Sequence, residues 1–133
     1  MTTPLLATGR TTSSMDEVRI VVVDDFPDAA ALLASALQMD GYGVRVAHDG
    51  AQALVVIEEF EPHCVLLDVD MPGLDGAELY KRLRARFGDD VVLIAVTGGG
   101  PDDPRVAETF DRVDHYLTKP VNPAVLRKIL PPL

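Results

Sequence analysis

The sequence predicts an α/β domain in which helices cover both faces of a parallel β-sheet. Five short apolar runs alternate with longer segments whose apolar residues recur at the helical period. The runs are rich in Val, Ile and Leu, which is typical of parallel strands that are buried on both faces. Right-handed crossovers between such strands put helices on both sides of the sheet. At 133 residues, the chain is long enough for one domain with a sizeable core.

The first half of the chain predicts three strands and two helices. Pro27 opens the first helix, because proline suits the first helical position, and Gly41 lies where that helix ends. Asp49, with Gln52 three residues later, resembles a capping box at the start of the second helix. The helices carry apolar residues at helical spacing, namely Ala29, Leu32, Leu33, Ala36 and Leu37 in the first and Leu54, Ile57 and Phe60 in the second. The predicted strands are residues 18–23, 44–47 and 64–68.

The second half predicts two further strands and three helices. Asp75 and Glu78 form a second capping pair before a helix that runs to Phe87. Residues 91–96 and 115–118 are the fourth and fifth strands, and Thr97 and Lys119 follow them directly. A glycine-rich loop begins at residue 98, a short helix covers about residues 102–112, and a last helix covers residues 123–130. Five strands therefore alternate with five helices.

Composition and charge narrow the classes of function. The net charge of −9 argues against direct nucleic-acid binding through a basic face. No apolar run approaches the roughly 18–20 residues that span a bilayer, so no membrane insertion is expected. Residues 1–17, rich in Ser and Thr, are expected to form a flexible leader before a domain over residues 18–133. The single cysteine, Cys64, excludes an intramolecular disulfide, is expected in the core and favours a cytoplasmic location. His63, beside the Pro62 turn, is expected at the surface.

Chemically distinctive residues stand at the ends of four predicted strands. Asp24-Asp25 follows the first strand, Asp68 ends the third, and Thr97 and Lys119 follow the fourth and fifth. The carboxyl ends of parallel strands share one edge of the sheet, where ligands bind in open α/β sheets. These residues can therefore converge, although they are far apart in sequence. Asp68 is then a metal ligand, a nucleophile or both.

The charges of this group favour a cation and a phosphoryl group. Two carboxylates about 4 Å apart repel by roughly 4 kcal/mol at an effective dielectric constant near 20, so three of them require a cation. Carboxylate oxygens are hard ligands that suit Mg²⁺ or Mn²⁺. A carboxylate nucleophile, a metal, a lysine, a hydroxyl group and a loop of small residues together form a cradle for phosphoryl transfer.

The chain resembles the receiver domain of two-component response regulators over about residues 18–130. The resemblance rests on four motifs in this order and spacing. They are Asp24-Asp25 after a hydrophobic strand, Asp68 within Leu-Leu-Asp-Val-Asp-Met-Pro-Gly-Leu-Asp-Gly, Thr97 after Ile-Ala-Val, and Tyr116-Leu117-Thr118-Lys119-Pro120. It implies a flavodoxin-like (βα)5 fold with strand order 2-1-3-4-5.

The resemblance implies a role for each matching residue. Asp68 is the phosphoacceptor. Mg²⁺ is held by Asp24, Asp25 and Asp68 together with the backbone carbonyl of Asp70, whose side chain is expected to face solvent beside the phosphorylation site. The phosphoryl group is bound by Lys119, Thr97 and Gly98, and Tyr116 occupies the aromatic switch position. The Lys119–Pro120 peptide bond is expected to be cis.

The resemblance also implies partners. The phosphoryl donor is a histidine kinase or a histidine phosphotransfer protein. A downstream protein reads the face formed by the fourth predicted helix, the fifth strand and the fifth predicted helix, and phosphorylation-dependent homodimerisation is compatible with this scheme. No independent substrate turnover is expected. No output domain is expected after residue 133, so the chain is expected to be either a stand-alone receiver or one excised from a hybrid sensor kinase.

Two other functions compete with this one. Asp68-Val69-Asp70 after an apolar strand resembles the Asp-x-Asp motif of haloacid-dehalogenase-type phosphatases. In that family the acidic pair follows the nucleophile, whereas here Asp24-Asp25 precedes Asp68. The second alternative is a receiver fold kept as an interaction module without phosphorylation, against which the intact Asp, Thr and Lys set argues.

Overall fold

Five parallel strands form one sheet in the order β2-β1-β3-β4-β5. The structure is a computed structural model that describes residues 17–71, 76–99, 104 and 113–130. The strands are β1 (Arg19–Val23), β2 (Gly43–Ala47), β3 (Cys64–Asp68), β4 (Val92–Thr97) and β5 (His115–Thr118). The helices with described bounds are α1 (Pro27–Met39), α2 (Gly50–Phe60), α3 (Gly76–Phe87) and α4 (Pro123–Ile129). The predicted α/β fold class and strand order are confirmed.

Two hydrophobic clusters, one on each face of the sheet, explain why the central strands are apolar throughout. In β3, Val65 and Leu67 belong to the cluster that contains residues of α2 and α3, whereas Cys64 and Leu66 belong to the cluster that contains residues of α1 and α4. Successive strand residues point to opposite faces, so a strand covered on both faces needs apolar residues at every position. Cys64 is fully buried as expected, and burial raises the pKa of its thiol to about 12.

Local signals determine where the helices begin and end. Pro27 is the first residue of α1, and the Asp49 carboxylate accepts a hydrogen bond from the Gln52 backbone N–H at the start of α2. The Gln52 side chain accepts from the His48 backbone N–H, one residue before the position that an ideal capping box uses. At the other end of α2, Glu61 adopts a left-handed conformation with φ of 50°. The predicted capping residue Asp75 and the predicted fourth helix fall outside the described residues, except that Pro104 is helical.

His63 contradicts the expectation of a surface position. Its Nδ1 accepts a hydrogen bond from the Arg19 backbone N–H at 2.9 Å, and its own backbone N–H donates to the Arg19 carbonyl at 2.8 Å. The Arg19 side chain in turn donates to the carbonyl groups of Phe60 and Glu61 at the end of α2. These contacts join the starts of β1 and β3 and leave His63 half-buried. The prediction was wrong because the long-range pairing of two strands, not the local turn, determines the position of His63.

The strand register brings the predicted site residues to one edge. Val23 pairs with Leu67, Asp68 with Val96, and Thr97 with Thr118, so the last residues of the central strands lie side by side. The Lys119–Pro120 bond that follows β5 is cis, as the resemblance implies. None of the helices in the described part of the chain is both long and apolar enough to span a membrane.

Candidate functional site

Three carboxylates meet at the carboxyl edge of the sheet. Oxygen atoms of Asp24, Asp25 and Asp68 lie within 4.8 Å of one another. Asp24 is oriented by its own turn, because its Oδ1 accepts a hydrogen bond from the Phe26 backbone N–H at 2.9 Å. Nδ1 of His48, a residue for which the sequence suggested no role, lies 2.9 Å from the Asp24 carbonyl oxygen. Three hard oxygen donors that converge in this way suit a small divalent cation such as Mg²⁺, so the residues present fit the expected metal.

Asp68 is the buried member of this group, with 3% of its surface exposed. Its Oδ1 accepts the Asp70 backbone N–H at 2.8 Å, and its Oδ2 accepts the Lys119 ammonium at 2.9 Å. Burial raises the pKa of Asp68 and the charge of Asp24 adds to this, while the bonds from Lys119 and Asp70 act in the opposite direction. The carboxylate is thus held by two donors inside a group of like charges, which favours binding of a cation.

Lys119 is the positive partner of the carboxylates. Its ammonium group lies 2.9 Å from Asp68 Oδ2 and 3.5 Å from Asp70 Oδ2, and 34% of the side chain is exposed. Partial burial alone would lower the pKa of Lys119, but the hydrogen bond with Asp68 and the charges of Asp68, Asp70 and Asp24 outweigh it and raise the pKa. The lysine therefore stays charged and can neutralise an incoming anion.

The Asp70 side chain turns inward, contrary to the expectation that it faces solvent. Only 21% of it is exposed. Asp70 Oδ1 accepts a hydrogen bond from the Thr97 hydroxyl at 3.0 Å, and Oδ2 accepts the Gly98 backbone N–H at 2.7 Å. Thr97 itself is fully buried, and its oxygen accepts the Gly99 backbone N–H at 3.1 Å. The sequence carried only one sign of this arrangement, an acidic residue two positions after Asp68.

Tyr116 lies on β5 opposite Ala95 of β4. It is half-buried and packs against the hydrophobic cluster that contains Val65 and Leu67. The structure thus brings together Asp24, Asp25, Asp68, Asp70, Thr97, Gly98 and Lys119, and it puts Tyr116 on the strand beside the one that ends in Thr97. A buried carboxylate between a cation site and a lysine can act as a nucleophile towards an anionic phosphoryl donor.

Comparison with known proteins identifies the family. The family model for the response regulator receiver domain matches residues 20–131. The chain belongs to this family. The response regulator MprA of Mycobacterium tuberculosis strain H37Rv is 42% identical over 103 residues, which are 77% of this chain and 44% of that protein. The chain therefore spans less than half the length of the curated response regulators that it matches.

Solved receiver domains have the same architecture. A response regulator signal receiver domain from Bermanella marisrubri is 32% identical, with a TM-score of 0.73 over 84% of this chain and 93% of that one. A response regulator protein from Burkholderia pseudomallei is 25% identical, with a TM-score of 0.77 over 86% of this chain and 67% of that one. The latter structure contains a phosphorylated aspartic acid, a calcium ion and citrate. Membership of the receiver family does not favour the haloacid-dehalogenase-type phosphatase.

Proposed function

We propose that Asp68 accepts a phosphoryl group from a phosphohistidine of a histidine kinase or a histidine phosphotransfer protein. A single observation carries this proposal: the buried Asp68 carboxylate lies beside those of Asp24 and Asp25 and pairs with the Lys119 ammonium. In the transfer, an Asp68 oxygen forms a bond to phosphorus and the phosphorus–nitrogen bond of phosphohistidine breaks. The imidazole leaves with the bonding electrons and takes up a proton, and an acyl phosphate remains on Asp68.

The acidic cluster provides the metal ligands in this scheme. Asp24, Asp25, Asp68 and the backbone carbonyl of Asp70 would hold Mg²⁺, or Mn²⁺ in its place. The cation supplies positive charge that neutralises the phosphoryl oxygens. Lys119 contributes a second positive charge, and because its pKa is raised it stays protonated at neutral pH. Asp24, whose Oδ1 already accepts the Phe26 N–H, is oriented before any ligand arrives.

The phosphoryl group then changes the state of the domain. Its oxygens accept hydrogen bonds from the Thr97 hydroxyl and the Gly98 N–H, and they form an ion pair with Lys119. Thr97 lies at the end of β4, and Tyr116 lies on the neighbouring β5 opposite Ala95. In this scheme Thr97 moves towards the phosphoryl group and the Tyr116 ring turns inward. The domain exchanges between an inactive and an active conformation. Phosphorylation shifts their populations only by the difference in interaction free energy that the phosphoryl group has with the two conformations.

The partners and the setting follow from the same proposal. A downstream protein binds the face formed by the predicted fourth helix, β5 and α4, and phosphorylation-dependent homodimerisation is compatible with the same scheme. The chain has no substrate turnover of its own and works in the cytoplasm, with a receiver domain over residues 18–133 after a leader. The net charge of −9 supports a protein partner rather than nucleic acid.

Intact mass spectrometry after incubation with a small phosphodonor tests the proposal. Acetyl phosphate and phosphoramidate, whose phosphorus–nitrogen bond resembles that of phosphohistidine, are used in parallel with Mg²⁺ and with a chelator. We expect wild type to gain one phosphoryl group only with Mg²⁺, and Asp68→Asn to gain none. No gain with either donor or with a phosphorylated phosphotransfer protein, in a folded sample, would favour an interaction module without phosphorylation.

A further inference from the structure

The carboxylate of Asp70 occupies the hydrogen-bond donors that a phosphoryl group on Asp68 would need. Its two oxygens accept the Thr97 hydroxyl at 3.0 Å and the Gly98 N–H at 2.7 Å, and Oδ2 lies 3.5 Å from the Lys119 ammonium. These are the three groups assigned above to the phosphoryl oxygens. Asp70 thus engages the complete donor set of the site.

Carboxylate and phosphoryl oxygens are both anionic acceptors, so they compete for the same donors. The Thr97 hydroxyl and the Gly98 amide each have one hydrogen and cannot make two short, well-aligned bonds at once. The Lys119 ammonium already pairs with Asp68 at 2.9 Å. A phosphoryl group that binds Lys119 either displaces the Asp70 carboxylate, whose Oδ2 lies 3.5 Å from the ammonium, or remains in repulsive contact with it.

We propose that the Asp70 side chain is an internal ligand of the phosphoryl-binding donors, which the phosphoryl group on Asp68 must displace. This inference rests on the proposed function of Asp68. It makes Asp70 a positioning residue that keeps Thr97, Gly98 and Lys119 engaged before phosphorylation. Phosphorylation then replaces the Asp70 carboxylate by the phosphoryl group as the acceptor for these donors. The free energy available for switching is therefore the difference between the interaction free energies of the two acceptors with the donors.

Removing the carboxylate should free the donors and speed phosphoryl uptake. In wild type, the charge-assisted hydrogen bonds of Asp70 must be broken before the donors can bind the phosphoryl group. Because Asp70→Ala lacks these bonds, we expect it to take up phosphoryl groups from acetyl phosphate roughly tenfold faster, or more, than wild type. Asp70→Asn, which keeps one carbonyl oxygen as an acceptor but loses the charge, should be intermediate. Asp28→Asn is the matched control, because it removes an exposed carboxylate near the start of α1 that lies outside the acidic cluster.

Two measurements test the proposal. The first is the ¹H–¹⁵N spectrum of glycine-labelled protein without phosphodonor, in which an amide that donates to a carboxylate resonates downfield. We expect the Gly98 signal to move upfield in Asp70→Ala and to stay in place in Asp28→Asn. The second is the initial rate of uptake by intact mass in the same samples, with thermal unfolding as the check that each variant is folded.

The outcomes separate this inference from the proposed function. An upfield shift of Gly98 with faster uptake in Asp70→Ala supports the displacement. An unmoved Gly98 signal, or an uptake rate equal to that of Asp28→Asn, overturns it while phosphorylation of Asp68 still stands. If no variant takes up a phosphoryl group from acetyl phosphate, from phosphoramidate or from a phosphorylated phosphotransfer protein, the proposed function fails, and displacement is overturned with it.

Discussion

Replacement of Asp25 by Asn should stabilise the protein in the absence of metal. Asp25 is exposed, and its carboxylate lies within 4.8 Å of those of Asp24 and Asp68. At that distance each pair of unit charges repels by about 3.5 kcal/mol at an effective dielectric constant of about 20, and by about 0.9 kcal/mol in bulk water. Because Asp25 is exposed, the lower figure applies better. Asp24 is the chain neighbour of Asp25 and repels it in the unfolded state as well, so the repulsion that folding adds is mainly the one between Asp25 and Asp68. Its loss then raises the free energy of unfolding by up to about 1 kcal/mol at low ionic strength.

Urea unfolding with and without Mg²⁺ measures this effect. In a chelator, Asp25→Asn should unfold at a higher urea concentration than wild type, with an unchanged slope, and added salt should reduce the difference. Mg²⁺ should stabilise wild type through binding to the folded state, and it should stabilise the variant less because one ligand is lost. The difference in stability between Asp25→Asn and wild type therefore narrows, or changes sign, as Mg²⁺ is added.

Asp28→Asn serves as the control for a general effect of negative charge. It removes one exposed carboxylate from a protein with a net charge of −9, but that carboxylate is not part of the cluster. We expect its response to Mg²⁺ to remain close to that of wild type. Its stability should fall slightly, because Asp28 lies in the first turn of α1, where a carboxylate interacts favourably with the helix N-terminus. The reasoning is refuted if Asp25→Asn is less stable than wild type in chelator, or if both proteins gain the same stability from Mg²⁺.

Two further predictions concern His63 and Leu66, which belong to the β-sheet region that supports the site. Burial, and then the charge of Arg19, lower the pKa of His63, so below about pH 6.5 the unfolded state binds more protons than the folded one and stability falls as the pH drops. His63→Gln, which keeps an acceptor for the Arg19 N–H, should lose this part of the pH dependence in urea titrations from pH 8 to pH 5, and an unchanged dependence would contradict the assignment. Leu66 is almost fully buried in the central strand, and Leu66→Ala should cost about 2–5 kcal/mol by urea unfolding. The exposed Leu32 provides the comparison, and an equal cost for Leu32→Ala would contradict the role of burial.

The amino-acid sequence was sufficient to predict the fold because the signals are local and mutually consistent. Continuous apolar strands, Pro27 at the start of α1 and the Asp49 cap of α2 each predicted a feature that the structure contains. The rule that parallel strands share a carboxyl edge then predicted that Asp24, Asp68 and Lys119 would meet. Their convergence is observed, while their roles in phosphoryl transfer remain predictions.

Tertiary structure alone decided two features, and both depend on contacts between residues distant in sequence. His63 is held by Arg19, 44 residues away, through hydrogen bonds that exist only when β1 and β3 are adjacent. Asp70 turns inward because Thr97 and Gly98, at the end of a neighbouring strand, present two donors to its carboxylate. Buried polar groups are generally hydrogen-bonded, and the strand register determines which donors a side chain at the sheet edge can reach. The sequence therefore determined which residues gather at this edge, and the packing of the strands determined which of them bind one another.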